Sequence, residues 1–273
     1  MSITEHIHAT GLAYRASEIK SDRPTIVFIH GLSGNASAWY ESEEILGCDF
    51  NTLSIELLGH GFSLKPIEYE AYSLERMAAS VGEVIISCGL GQYHVVAHSF
   101  GTVLATVAVT HSHVHPASLV LVSPTYNAAD SWGGWFWQKV SACIGSLYRA
   151  FPLNALPAGW RVDYAQYRPA ADRDLRRMWA DLRAVTFRVY FYCIAQFDGH
   201  DYSMLCSRIA VPVCVVHGDA DSLVPLSCAE KLVAILPLAK LNVLRGGNHE
   251  IPVNDSPELC VIIRGAIAKV QKA

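Results

Sequence analysis

The feature that most constrains this chain is a series of short, nearly unbroken apolar runs, most of them followed by a longer stretch of helical period. "TIVFI" (Thr25 to Ile29), "NTLSI" (Asn51 to Ile55), "YHVVA" (Tyr93 to Ala97), "SLVLV" (Ser118 to Val122), "VPVCVV" (Val211 to Val216) and "KLNVL" (Lys240 to Leu244) read as strands. Runs without polar alternation suit strands covered on both faces, the condition of a parallel sheet. Between them, Ala38–Leu46, Leu74–Ser87, Phe100–His111 and Leu226–Leu236 read as helices, and Pro257–Lys269 closes the chain as another. Strand, helix, strand in this order implies right-handed crossovers. The expected fold is therefore α/β, a mostly parallel sheet flanked by helices.

One region breaks the alternation. From Thr125 to about Ser203 there is helical periodicity but no good strand, punctuated by Pro152, Pro157 and Pro169. Five of the six tryptophans, Trp132, Trp135, Trp137, Trp160 and Trp179, crowd into it. The expectation is a discontinuous core, residues 1–124 and 204–273, with a helical cap inserted at 125–203. A chain of 273 residues suits one large domain of this kind.

With 51% apolar and 17% charged residues, the composition is that of a well-packed globular enzyme. A net charge of −4 argues against a general nucleic-acid binder, which carries a basic surplus. No signal-peptide pattern and no apolar run of about 18 residues is visible, so a cytoplasmic protein without a membrane span is expected. The eight cysteines are scattered with no C-x-x-C pair, which favours free thiols over a disulfide framework.

Chemistry enters at "AHSFG", Ala97 to Gly101, directly after the strand "YHVVA" and before a helix. This is nearly the G-x-S-x-G elbow, in which a strained turn lifts a serine hydroxyl above the sheet. Its flanking positions must be small; Gly101 is, and Ala97 adds one methyl. A serine needs a base, and the base an orienting acid, in the chain order Ser, Asp or Glu, His. After "VPVCVV" the loop "HGDADSLVP" offers Asp219 and Asp221, and after "KLNVL" the loop "RGGNHEIP" offers His249. The helix that begins at Phe100 supplies a backbone N–H for a developing oxyanion, and the Leu32 N–H, after "TIVFI", is the second candidate donor.

Together "HGLSGNASAW", "ELLGHGFS", "VVAHSFG", "HGDADSLVP" and "GGNHEIP" resemble the α/β-hydrolase superfamily, in its lidded esterase and lipase-like branch. The resemblance covers essentially the whole chain outside the cap. It implies Ser99 as nucleophile, His249 as base, Asp221 rather than Asp219 as acid, and Leu32 and Phe100 as oxyanion donors. Two positions depart from the pattern: Ala97 replaces its first glycine, and Glu56 stands where aspartate often precedes "GHG". A serine at position 99 also speaks against relatives with a nucleophilic aspartate, the epoxide hydrolases and haloalkane dehalogenases.

The remaining polar clusters read more simply. His111, His113 and His115 in "HSHVHP" suit a polar helix end better than a metal site. His98, the sequence neighbour of Ser99, is expected to point away from it. Arg168, Arg173, Arg176, Arg177 and Arg183 suit the solvated face of a cap helix, paired with Asp172, Asp174 and Asp181. The expected activity is hydrolysis of a carboxylic ester of a small to medium apolar or aromatic substrate, with no cofactor, no metal and a small molecule as the only partner. Trp132, Trp135 and Trp137 are candidates to line its pocket. The same parts serve thioesters, lactones, amides, carbon–carbon bonds next to ketones and acyl transfer, or a slow-turnover ligand receptor.

Overall fold

A computed structural model of the protein describes residues 3–127, 134–151 and 160–272, with residues 134–138 described by backbone alone. Its strands are β1 (Ile3–Ile7), β2 (Ala13–Ser17), β3 (Thr25–Ile29), β4 (Asn51–Ile55), β5 (Tyr93–His98), β6 (Leu119–Val122), β7 (Val213–Gly218) and β8 (Ala239–Leu244). They form one sheet in the order β1-β2-β4-β3-β5-β6-β7-β8. From β4 to β8 every neighbouring pair is parallel, whereas β1 and β2 join antiparallel.

Alternate side chains of each inner strand enter two different cores. Val27 and Ile29 of β3 pack with α2 (Leu74–Ser87), α3 (Phe100–Thr110) and α8 (Leu226–Ile235), through residues such as Met77, Leu104 and Leu232. Ile26 and Phe28 pack on the other face against Trp39, Leu46 of α1 (Tyr40–Leu46), and Leu259 and Ile263 of α10 (Ser256–Gln271). All five residues of β3 are buried, which is why its sequence shows no alternation. Each such aliphatic side chain removed from water contributes about 1.5–3 kcal/mol.

The two-strand extension β1–β2 was not expected from the sequence. β1 is an edge strand with four of its five residues exposed, so "ITEHI" carries no apolar run to announce it. β5 and β7 also run further than expected, to His98 and Gly218. The extension brings both strands up to the loops that matter for chemistry.

Between β6 and β7 the chain forms α4 (Gly134–Ala150), α5 (Leu175–Val185), α6 (Phe187–Phe197) and the single turn α7 (Ser203–Cys206). α4 packs against α6, and Asn127 bridges Asp201, so the two ends of this insertion meet. A strap, residues 160–174, irregular apart from one 3-10 turn at Tyr164–Tyr167, lies along the main body. Ser37 Oγ and Asn35 Nδ2 donate to its Val162 carbonyl, and Arg161 reaches Glu56. The last short helix, α9 (Ile251–Asn254), follows the β8 loop.

Candidate active site

The parallel register sets the ends of the central strands side by side: Ile29 pairs with Ala97, His98 with Val122, and Gly218 with Leu244. Ser99, the loop after Gly218 and the loop after Leu244 therefore leave the sheet at the same edge. Ser99 adopts φ 49°, ψ −120° between β5 and α3, a backbone that an L-residue holds only under constraint. Gly101 shows the steric reason for the motif, because a Cβ there would sit 2.5 Å from the His30 carbonyl oxygen.

The structure brings three of the expected residues together. Ser99 Oγ lies 2.9 Å from His249 Nε2, and His249 Nδ1 lies 2.7 Å from Asp221 Oδ2. The other Asp221 oxygen accepts the Leu223 and Val224 N–H groups at 2.9 and 2.8 Å, which fixes the carboxylate plane. Asp219 takes no part, since it is exposed and accepts the Gly246 N–H at 2.6 Å.

Burial opposes charge on both members of the His249–Asp221 pair, yet each favours the charged form of the other. Burial alone would lower the His249 pKa, but the hydrogen bond and charge of Asp221 outweigh it, with Glu250 and Asp172 adding, so it stands above the ordinary histidine value. Burial would likewise raise Asp221, but the hydrogen bond and charge of His249 and the two backbone donors hold it below the usual aspartate value. Such a site is built to stabilise an imidazolium.

Four other histidines hold the surrounding loops. His98 Nε2 donates to the His249 carbonyl at 2.9 Å, so it braces the base loop instead of facing Ser99. His217 Nε2 donates to the Val224 carbonyl at 2.9 Å beside Asp221. His30 Nε2 accepts the Leu57 N–H, and His60 Nε2 accepts the Ser33 N–H, which fixes the turn that carries Leu32. Burial lowers the pKa of all four, to about 4 for His30 and about 3 for His98, so they stay neutral at pH 7. Leu32 follows β3 and Phe100 opens α3, at the edge that bears Ser99.

Several expectations meet a different outcome. Arg177 and Asp172 are not on a solvated face: Arg177 is buried and pairs with Asp181 at 3.2 Å and Glu250 at 2.8 Å. Glu56 is fully buried, accepts the Ala36 and Phe62 N–H groups, and meets Arg161 Nε at 2.5 Å. The longer carboxylate thus serves a partner from the insertion, which sequence inspection did not find. Trp132 lies outside the described residues, and Trp135 and Trp137 are described only as backbone positions of α4. Among the described residues no three His, Cys, Asp or Glu side chains cluster as metal ligands, and no helix is long and apolar enough to cross a membrane. None of the eight cysteines is joined in a disulfide.

A family model described as the alpha/beta hydrolase fold matches residues 24–255. The chain belongs to the α/β-hydrolase family. Its sequence is 27% identical, over 92% of both chains, to the Escherichia coli O44:H18 (strain 042 / EAEC) protein named "Putative carbamate hydrolase RutD". Its fold superposes on the esterase RhEst1 from Rhodococcus sp. ECU1013 with a TM-score of 0.70 at 19% identity, covering 99% of this chain and 100% of that one. It superposes on the enol-lactonase from Burkholderia xenovorans LB400 with a TM-score of 0.71 at 19% identity, covering 94% and 96%. As an α/β hydrolase with such relatives, the protein is a hydrolase.

Proposed function

We propose that the protein is a serine hydrolase that cleaves a carboxylic ester of a small to medium apolar or aromatic substrate. The observation that carries this reading is the continuous hydrogen-bonded line from Ser99 through His249 to Asp221. In the first step Ser99 Oγ bonds to the substrate carbonyl carbon and its proton passes to His249 Nε2. The tetrahedral oxyanion takes hydrogen bonds from the Leu32 and Phe100 N–H groups, each worth about 3–4 kcal/mol to the transition state. Collapse breaks the ester bond, and the alkoxide leaves with the proton from His249. Water then adds to the acyl-enzyme through the same base, and the carboxylic acid departs.

We assign residues 125–203 as the cap over this site. One ring contact supports that assignment: Phe100, next to Ser99, meets Phe197 of α6 edge-on at 6.3 Å, and Phe197 stacks in turn on Tyr202 within the insertion at 6.0 Å. The aromatic residues that the insertion brings to the Ser99 turn suit an apolar acyl or alcohol group. A second reading, carbamate hydrolysis, is favoured by the named activity of the RutD relative and uses the same triad on a nitrogen-substituted carbonyl.

Fluorophosphonate labelling tests the nucleophile. Wild-type protein should take up one label and Ser99→Ala none; turnover of p-nitrophenyl esters retained in Ser99→Ala sinks the reading. A panel pairing each ester with the carbamate of the same leaving group then decides between the two substrate classes.

A further inference from the structure

We propose that Asp172, a side chain of the inserted strap, is a positioning residue whose carboxylate clamps together the two loops that carry His249 and Asp221. The proposal rests on the reading of Ser99, His249 and Asp221 as the reacting set. Asp172 Oδ1 accepts the backbone N–H of His249 at 2.7 Å, and Oδ2 accepts the N–H of Ser222 at 2.8 Å. Ser222 is the residue after Asp221, so one carboxylate spans the acid loop and the base loop. The side chain is buried, and its own backbone carbonyl accepts Arg177 Nη2 at 3.4 Å. Two residues earlier the Ala170 carbonyl accepts Asn248 Nδ2 and Asn254 Nδ2 at 2.7 and 2.8 Å, which seats the strap on the base loop.

The chemistry of the contact requires a carboxylate. Two separate N–H groups converge on it, and only an ionised carboxylate offers an acceptor on both arms. An amide at position 172 would turn an NH2 group toward one of them. The His249 peptide is gripped on its other side as well, since its carbonyl accepts His98 Nε2 at 2.9 Å and Ser123 Oγ at 3.2 Å. Without Asp172 the His249 peptide loses its hold on the N–H side and keeps only the one on its carbonyl, so the imbalance is passed to the imidazole. A misplacement of about 1 Å in such a site costs roughly 100-fold in rate.

Asp172 also acts through charge. The groups facing His249 are Asp221, Glu250 and Asp172, which favour the imidazolium, His98, whose ring centroid lies 5.1 Å away, and His217, whose Nε2 lies 3.5 Å from Asp221 Oδ2. Arg177, a buried cation, is held by Glu250 and Asp181. Neutralising Asp172 therefore lowers the pKa that governs the acid limb of kcat/KM, and Asp172→Glu, which keeps the charge, separates that effect from the clamp's.

The test measures kcat, KM and the pH profile on a p-nitrophenyl ester for wild type, Asp172→Asn, Asp172→Glu and Ser99→Ala, with circular dichroism of each. Asp172→Asn should lose roughly 10- to 100-fold in kcat with KM nearly unchanged, and its acid limb should move to lower pH. Asp172→Glu should keep the limb in place while kcat falls. Asp172→Asn that is folded, with wild-type kcat and an unmoved limb, overturns the clamp. If Asp172→Asn does not fold, Asp172→Glu decides: wild-type kcat overturns the proposal, and a reduced kcat with an unmoved limb upholds it. Full turnover by Ser99→Ala defeats the reading of the triad itself, whereas an inactive Ser99→Ala beside a fully active Asp172→Asn defeats the clamp alone.

Discussion

His94 offers a measurement of how far burial controls this protein's response to acid. It is the second residue of β5, in register with Ile26 of β3, and none of it is exposed. Its Nδ1 lies 2.7 Å from Ser118 Oγ, and its Nε2 has no hydrogen-bond partner. Burial lowers its pKa from 6.5 to about 4, because no nearby anion repays the desolvation of an imidazolium. Below pH 6.5 the unfolded chain takes up a proton here and the folded chain does not. The stability present above pH 6.5 is therefore lost as pH falls toward the folded value, at about 1.4 kcal/mol per pH unit. At pH 5 the loss comes to about 2 kcal/mol. His94→Gln removes the titration while leaving an amide to meet Ser118. Urea midpoints of wild type and variant would be compared at pH 7 and pH 5, and only the change in the gap between them is read. Asp181, which burial raises to about 7, pushes stability the opposite way over this range, but it is common to both proteins and cancels. With an m-value of about 3 kcal/mol/M, the gap should shift by roughly 0.7 M in favour of the variant at pH 5. Two parallel curves from pH 7 to pH 5 would refute the argument.

Asp221→Asn should lower kcat about 10,000-fold, as loss of a triad carboxylate does, whereas Asp219→Asn should change it by no more than a few-fold in the same ester assay. Activity should rise with pH through a pKa above 6.5, because His249 must be neutral to accept the Ser99 proton and its pKa is raised. A flat profile of kcat/KM from pH 5 to 8 counts against His249 as base. Arg161→Ala should cost about 3–5 kcal/mol by denaturant titration, since it leaves Glu56 buried without its cation, and Glu56→Gln in that background should recover part of the loss.

The inner strands β3 to β7 were legible because each lies between two cores, and burial on both faces writes itself as an apolar run. β1 was not, because an exposed edge strand is held by backbone hydrogen bonds to β2 and needs no apolar face. Ser99, Asp221 and His249 were legible for a related reason. Each sits in a short motif just past such a run, so strand order supplies their neighbourhood without knowledge of the loops. Asp172 and Arg161 have no such address. They reach partners 77 and 105 residues away along the chain. In "RPAADRDLRR" the aspartate and arginines look like an ordinary solvated helix face; no local pattern separates the buried Asp172 and Arg177 from the exposed Arg173 and Arg176. The one available signal was Glu56, whose extra methylene beside "GHG" is matched by the guanidinium of Arg161 and by Gly61, where a Cβ would sit 2.2 Å from the Glu56 carboxylate.

Why this fold should need help from its insertion follows from where His249 is carried. Ser99 leaves a strand with neighbours on both sides, so the sheet and α3 set its position. The base leaves β8, the last strand, with sheet on one side only and none of its six residues buried. Its loop meets the β7 loop backbone to backbone, so closely that a Cβ at Gly218 would lie 2.0 Å from the Gly247 carbonyl oxygen. Contact that close, with the Ala220 N–H donating to the Gly247 carbonyl at 3.0 Å, fixes the two loops only as far as Gly247, and a tilt beyond it is left to other contacts. The tilt is removed from above by Asp172 on the His249 N–H, and from the core side by His98 and Ser123 on its carbonyl. The loop after an edge strand thus holds His249 Nε2 2.9 Å from Ser99 Oγ with support from the insertion added to that from the core. In this protein the insertion is thus part of how Ser99, His249 and Asp221 are held together.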